Sequence, residues 1–174
     1  MIDIPETITH STLNEGYDFF ITDQWGVKRH FKISSFPVGT SLQTEAIEVV
    51  DNKNGREPYI FNILSDFDSD KEYAELMMRE KIKRGVNVRY MELSDGKWEI
   101  RDELELAGRI DFSGDIEAST FDNAFVIDGQ KITVEELMRM VGPYGGWNFH
   151  LKLNDDFDPP VMMKQVKDSN QLPS

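Results

Sequence analysis

An α+β fold, made mainly of antiparallel β-sheet built from hairpins and carrying two helices, is what this sequence predicts. Three observations lead to it. Apolar residues alternate with polar ones over long stretches, the period of strands with one buried face. The turn dipeptides Asn54-Gly55, Asp95-Gly96 and Asp128-Gly129 interrupt those stretches at hairpin spacing. Helical spacing is confined to two segments, about 70–84 and 133–141, each opened by a capping signal.

The first hairpin is expected in GYDFFITDQWGVKRHFKI. Tyr17, Phe19 and Ile21 alternate before a short loop, and Phe31 and Ile33 resume the alternation after it. TEAIEVV and PYIFNIL, rich in β-branched and aromatic residues, form a second hairpin around Asn54-Gly55. The first helix should then bury Tyr73, Leu76 and Met77, widened by Ala74, Met78 and Ile82. Lys81, Lys83 and Arg84 suit its negative C-terminal end, and Gly85 suits the C′ position.

After that helix, Val86–Leu93 and Lys97–Arg101 should pair across Asp95-Gly96. Alternation through Leu104, Leu106, Ile110 and Phe112 extends the strand reading to Gly114, and residues 113–123 read as a loop. FVIDGQKI gives a tight turn at Asp128-Gly129. The second helix follows, with a Thr133–Glu136 capping box and a Gly142-Pro143 stop. WNFHLKL, with Trp147, Phe149, Leu151 and Leu153 on one face, reads as a last strand. No repeat or low-complexity linker divides the 174 residues, so one α+β domain is expected over 1–153, with an extended, partly mobile tail over 154–174. The segment before Tyr17, His10 included, reads as loose.

Composition narrows the chemistry. No cysteine is present, which excludes disulfides, zinc–thiolate sites and a thiol nucleophile, and fits a reducing compartment. The opening residues carry neither the basic start nor the apolar run of a secretion signal. No stretch approaches the roughly 20 apolar residues that span a bilayer. A cytoplasmic protein without membrane contact is expected. The formal charge of −13 disfavours direct binding to nucleic acid. That charge is uneven: residues 92–174 hold 17 acidic and 8 basic side chains, a net −9.

Asp66, Asp68 and Asp70 are the nearest approach to a metal motif. They match the first three ligand positions of a calcium loop, but Lys71 stands at the glycine position and Met77 at the position of the bidentate glutamate. A cap explains more: Ser69 with Glu72 makes a capping box, and Asp68 and Asp70 place negative charge at the positive helix end. His30 and His150 alternate away from apolar neighbours, and none of the three histidines is spaced for a triad or a metal site. VGPYGGW lacks the lysine and hydroxyl of a phosphate loop. Lys28, His30 and Lys32 form a basic strand face suited to pairing with the protein's own carboxylates. Trp25, Trp98 and Trp147 all lie beside turns, and an exposed one would mark an interface.

The stretch FVIDGQKITVEELMRMVGPYGGWNFHLKL resembles a family of uncharacterised bacterial proteins, a domain of unknown function. The shared pattern is an Ile-Asp-Gly turn, a Glu-Glu-Leu helix with an Arg-Met pair, and a Gly-Trp strand. YDFFITDQWGVKRHFKI and the strand–Asp–helix unit at 60–85 look similar to the same family, so the resemblance spans 17–153. It implies no activity, cofactor or site residue.

The residues therefore nominate no catalytic or cofactor-binding group. The leading expectation is a non-enzymatic module that binds another protein through an acidic and aromatic surface, with a basic partner favoured by charge. One alternative is a small metal-dependent enzyme using Asp66, Asp68 and Asp70. Another is an acidic nucleic-acid mimic that blocks a basic nucleic-acid-binding partner.

Overall fold

Five strands joined in sequence make the larger sheet of the computed structural model, which describes residues 6–10, 16–51, 55–68, 70–111 and 124–155. They are β1 (Glu6–His10), β2 (Tyr17–Thr22), β3 (Lys28–Val38), β4 (Ser41–Glu48) and β5 (Ile60–Asp66), each antiparallel to the next. Register follows hydrophobic parity. Phe19 faces Phe31, Ile33 faces Ala46, and Ala46 faces Phe61, so one face of the sheet is apolar from strand to strand. His10 belongs to β1, opposite Tyr17, which corrects the loose reading for residues 6–10.

Helix α1 (Lys71–Val86) lies on that apolar face. Its buried stripe is Ala74, Met78, Ile82 and Val86, four residues apart, and the last three pack with Phe19, Phe31 and Ile33. Ala74, Met78 and Ile82 of the expected face are buried, but Tyr73, Leu76 and Met77 are exposed. A small residue fits the helix to the sheet here: Gly85 lies against Phe61, whose ring atoms would stand 2.5 Å from an added Cβ. Gly85 is thus a packing residue inside the helix, not its C′ residue. Asn87 caps the C-terminal end, and the helix takes Val86 from the expected strand.

Among the described residues that follow, two small sheets form. β6 (Met91–Ser94) pairs with β7 (Lys97–Ile100), and β9 (Ala124–Ile127) lies between β8 (Arg109–Asp111) and β10 (Gln130–Thr133). The strands thus divide into three sheets, all antiparallel. Asp95 and Gly96 have φ of 47° and 75°, and Asp128 and Gly129 have 51° and 75°. Both central residues are left-handed, as two-residue hairpin turns require.

Helix α2 (Val134–Val141) carries the anticipated capping box. Glu136 N donates to Thr133 Oγ1 at 3.1 Å, and Thr133 N donates back to Glu136 Oε2 at 2.8 Å. A 3₁₀ turn, Gly142–Tyr144, follows. A second apolar cluster, Met91, Ile127, Ile132 and Met140, joins the two small sheets and α2. Arg101–Gly108 is not strand: Asp102 and Glu103 turn the chain, and Leu104 has a φ of 54°. WNFHLKL also joins no sheet among the described residues. The loop at 113–123, Asn54, Ser69 and the tail from Asp156 lie outside the described residues. No helix among the described residues is long and apolar enough to cross a membrane.

Candidate functional site

Strand parity puts Arg29 on the same face as Phe31 and Ile33, so its guanidinium enters the sheet's inner side and is 7% exposed. Two buried carboxylates meet it there. Asp23, in the β2–β3 turn, accepts from Arg29 Nε at 3.1 Å and Nη2 at 2.9 Å through Oδ2. Glu48, at the end of β4, accepts from Arg29 Nη1 at 3.0 Å through Oε1. Burial works against the Arg29 charge, but the Glu48 and Asp23 carboxylates outweigh it and the pKa is raised.

The cluster extends to the residues before β5. Glu48 Oε2 accepts from Arg56 Nη2 and, at 3.1 Å, from the backbone N of Tyr59. The Tyr59 ring lies 5.1 Å from the Arg29 guanidinium carbon and 5.6 Å from that of Arg56. Burial raises the Tyr59 pKa. Asp23 Oδ1 is also occupied, by the backbone amides of Trp25 and Val27 at 3.0 and 2.9 Å. Every oxygen of both carboxylates therefore has a donor. Neither can act as a base or nucleophile without breaking the cluster, so its work is structural. It fixes the turn that carries Gln24 and Trp25.

That turn reaches the second half of the chain. Gln24 N donates to Asn87 Oδ1 at 2.6 Å, and Gln24 Nε2 donates to Asn87 O at 2.5 Å. Trp25 stacks with Arg89, whose guanidinium carbon is 3.8 Å from the ring centroid. On the other side, Glu57 N donates to Gly129 O at 2.9 Å, and Arg109 Nη1 reaches Pro58 O at 3.4 Å. Gly129 is required there twice over, by its φ and by Arg56, whose Nε would stand 2.9 Å from an added Cβ. Behind the turn, Asp128 Oδ2 accepts from the backbone amides of Tyr90 and Met91, both at 2.8 Å. Burial raises the Asp128 pKa and these amides only partly oppose it.

Between Trp25, Arg89, Tyr90, Arg101, Glu103 and Glu105 lies a shallow cleft of about 160 Å³. Small-molecule pockets usually enclose about 300–1,000 Å³. The cleft is below that range, and it mixes both signs of charge. It reads as the seam between two packed halves.

Asp66 ends β5, Asp68 sits in the following turn, and Asp70 is the N-cap of α1; all are exposed. Asp70 Oδ1 accepts from Glu72 N at 3.0 Å, so the cap belongs to Asp70 in place of the expected Ser69 box. Among the described residues no three His, Asp or Glu side chains gather to hold a metal ion. Lys28 and Lys32 point outward from β3, and His30 stacks on Phe20 and meets Asp18 at 2.7 Å.

The largest apolar exposure is in the segment that was expected as the last strand. Trp147, Phe149, Leu151 and Leu153 are 67%, 90%, 73% and 72% exposed. Trp147 keeps an edge-on contact with Tyr144 at 5.5 Å and donates its backbone N to Tyr144 O at 3.0 Å. His150 and Lys152, on the alternate positions, are exposed too. The alternation was visible in the sequence, but that it lies uncovered was not. Arg29 was missed although its parity with Phe31 could have found it.

The fold is thus an α+β assembly of two consecutive halves, each around its own apolar cluster. Family comparison divides the chain at the same place. Residues 14–87 match the model of a domain of unknown function (DUF7686), and residues 89–158 match that of another (DUF7713). No curated protein and no solved structure matches the chain.

Proposed function

We propose that the protein is a non-enzymatic, cytoplasmic module that binds another protein through the apolar strip at 147–153 and the acidic surface of its C-terminal half. The observation that carries this reading is the exposure of Trp147, Phe149, Leu151 and Leu153, each by two-thirds or more. Large apolar side chains left exposed close together in sequence mark a candidate interaction site. Tryptophan is among the residues enriched where binding energy concentrates. The net −9 of residues 92–174 supports a protein partner over nucleic acid. In this reading residues 1–153 act as one domain, supported by the Trp25–Arg89 and Glu57–Gly129 contacts, and 154–174 as a tail.

The test is capture from native lysate on immobilised wild type and on the Phe149→Glu, Leu151→Glu double variant. A protein retained by the wild type and lost on the variant is expected. Identical captured sets on both would refute the strip as the binding surface.

A further inference from the structure

Residues 147–153 have the period of a strand with one buried face, yet they pair with no strand among the described residues. We infer that one copy of the chain adds this segment as a third strand to the β6–β7 hairpin of a second copy, each copy giving one strand and receiving one. The inference rests on the apolar-strip part of the protein-binding reading above, not on its acidic surface, and names the partner.

The hairpin needs what the segment offers. β6 and β7 form a two-stranded sheet, and neither has another strand beside it among the described residues. Asp128 already takes the Met91 amide on the outer side of β6, which leaves the β7 edge to take a further strand. Peptides bound in this way take affinity from backbone pairing and specificity from alternate side chains.

Face matches face. On the hairpin, Met91 opposes Ile100 and Leu93 opposes Trp98, giving an apolar side on which Leu93 is still 61% exposed. On the other side Glu92 directly opposes Glu99, a like-charged pair that costs stability. A strand whose Phe149 and Leu151 continue the apolar side necessarily turns His150 and Lys152 to the glutamates. Lys152 then offsets the repulsion between Glu92 and Glu99. A register slip of one residue would set leucine and phenylalanine beside the glutamates, so the pattern also fixes the pairing.

The area is sufficient. A buried aromatic side chain hides roughly 150–250 Å², so the four apolar side chains of the strip present on the order of 500–600 Å². Reciprocal exchange doubles that before the covered hairpins are counted, which reaches the roughly 1,200–2,000 Å² of specific interfaces. Two copies exchanging identical strands close on a two-fold axis and leave no strip free to propagate.

Sedimentation equilibrium across a concentration series tests this. The wild type should populate dimer. Phe149→Glu with Leu151→Glu should be monomeric, with an unchanged circular dichroism spectrum apart from any lost strand signal. Lys152→Glu alone should weaken the dimer about tenfold or more. Adding Glu92→Lys and Glu99→Lys to Lys152→Glu should restore it. A wild type monomeric at every concentration, a dimer that survives the double glutamate variant, or a charge reversal that fails to restore association would each overturn the proposal. A monomeric wild type whose strip still captures another protein would leave the binding reading standing and remove the self-pairing alone.

Discussion

The guanidinium carbon of Arg89 sits 3.8 Å from the centroid of the Trp25 ring. This stacking joins the β2–β3 turn, held by Asp23 and Arg29, to the first residues of the C-terminal half. Trp25→Ala should lower stability by about 1 kcal/mol, the worth of a cation–π contact at a partly exposed site. Wild-type denaturant unfolding should follow one transition by fluorescence and by circular dichroism. Two separated transitions would show that the halves unfold independently, against the single-domain proposal.

Gly85→Ala separates packing from helix propensity. Alanine is the better helix former by about 1 kcal/mol, so an exposed helical glycine should gain from the change. Here the new Cβ meets Phe61, and overpacking of this kind costs about 1–3 kcal/mol. The expected outcome is net destabilisation, relieved when Phe61→Leu is added. A stabilised single variant would show that the contact yields freely.

Alkaline pH should expose Tyr17. Burial, with Glu75 nearby, pushes its hydroxyl up from 10.0 to about 12. A raised folded-state pKa means stability that is complete below the unfolded value and is lost as pH rises through the folded one. Stability should therefore fall between about pH 10 and 12, by roughly 1–3 kcal/mol at 1.36 kcal/mol per unit. Tyr17→Phe should flatten that part of the profile. An unchanged slope in the variant would assign the loss to other groups, such as Tyr59 and Tyr90, whose pKa values burial also raises.

Asp70 is already engaged as a cap, which bears on the metal-dependent alternative. Millimolar Ca²⁺ or Mg²⁺ should leave the Tm unchanged, and Asp70→Ala should cost about 1 kcal/mol with or without the cation. A cation at 100 times its Kd would instead add about 2.7 kcal/mol. A rise of that size, abolished by Asp68→Ala, would restore the metal reading.

What the sequence made legible was local. Asp95-Gly96 and Asp128-Gly129 declare hairpins because few other dipeptides accept two left-handed residues in a row. Thr133 and Glu136 declare a helix start because the cap and its reciprocal bond lie three residues apart. The buried face of α1 was not legible, since apolar residues occur on both sides of the helix. The small size of Gly85 matters only once Phe61 is known to lie opposite it. Arg29 was hidden by its charge, because its burial depends on Asp23 from the β2–β3 turn and Glu48 from β4 meeting it. The strip at 147–153 was read as a strand from its alternation, but alternation says that one face is suited to burial, not what covers it. Some contacts that join the halves, such as Glu57 N to Gly129 O, run between backbone atoms and leave no compositional trace.

Salt gives the self-pairing model a sign of its own. Each copy carries −13, so the long-range force between copies is repulsive, and screening should tighten the dimer from low to physiological salt. Association with a basic partner would weaken over the same range. A dimer that dissociates as salt is raised would contradict docking driven by the apolar strip.

Backbone hydrogen exchange at residues 148–153 tests the central claim most directly, since strand addition must protect amides of a segment that joins no sheet among the described residues. In the wild type at concentrations where it associates, alternate amides of this segment, and amides along one edge of the β6–β7 hairpin, should exchange slowly. In the Phe149→Glu, Leu151→Glu variant, and in wild type diluted to monomer, both sets should exchange fast. Equal, fast exchange in associated and dissociated protein would contradict strand addition.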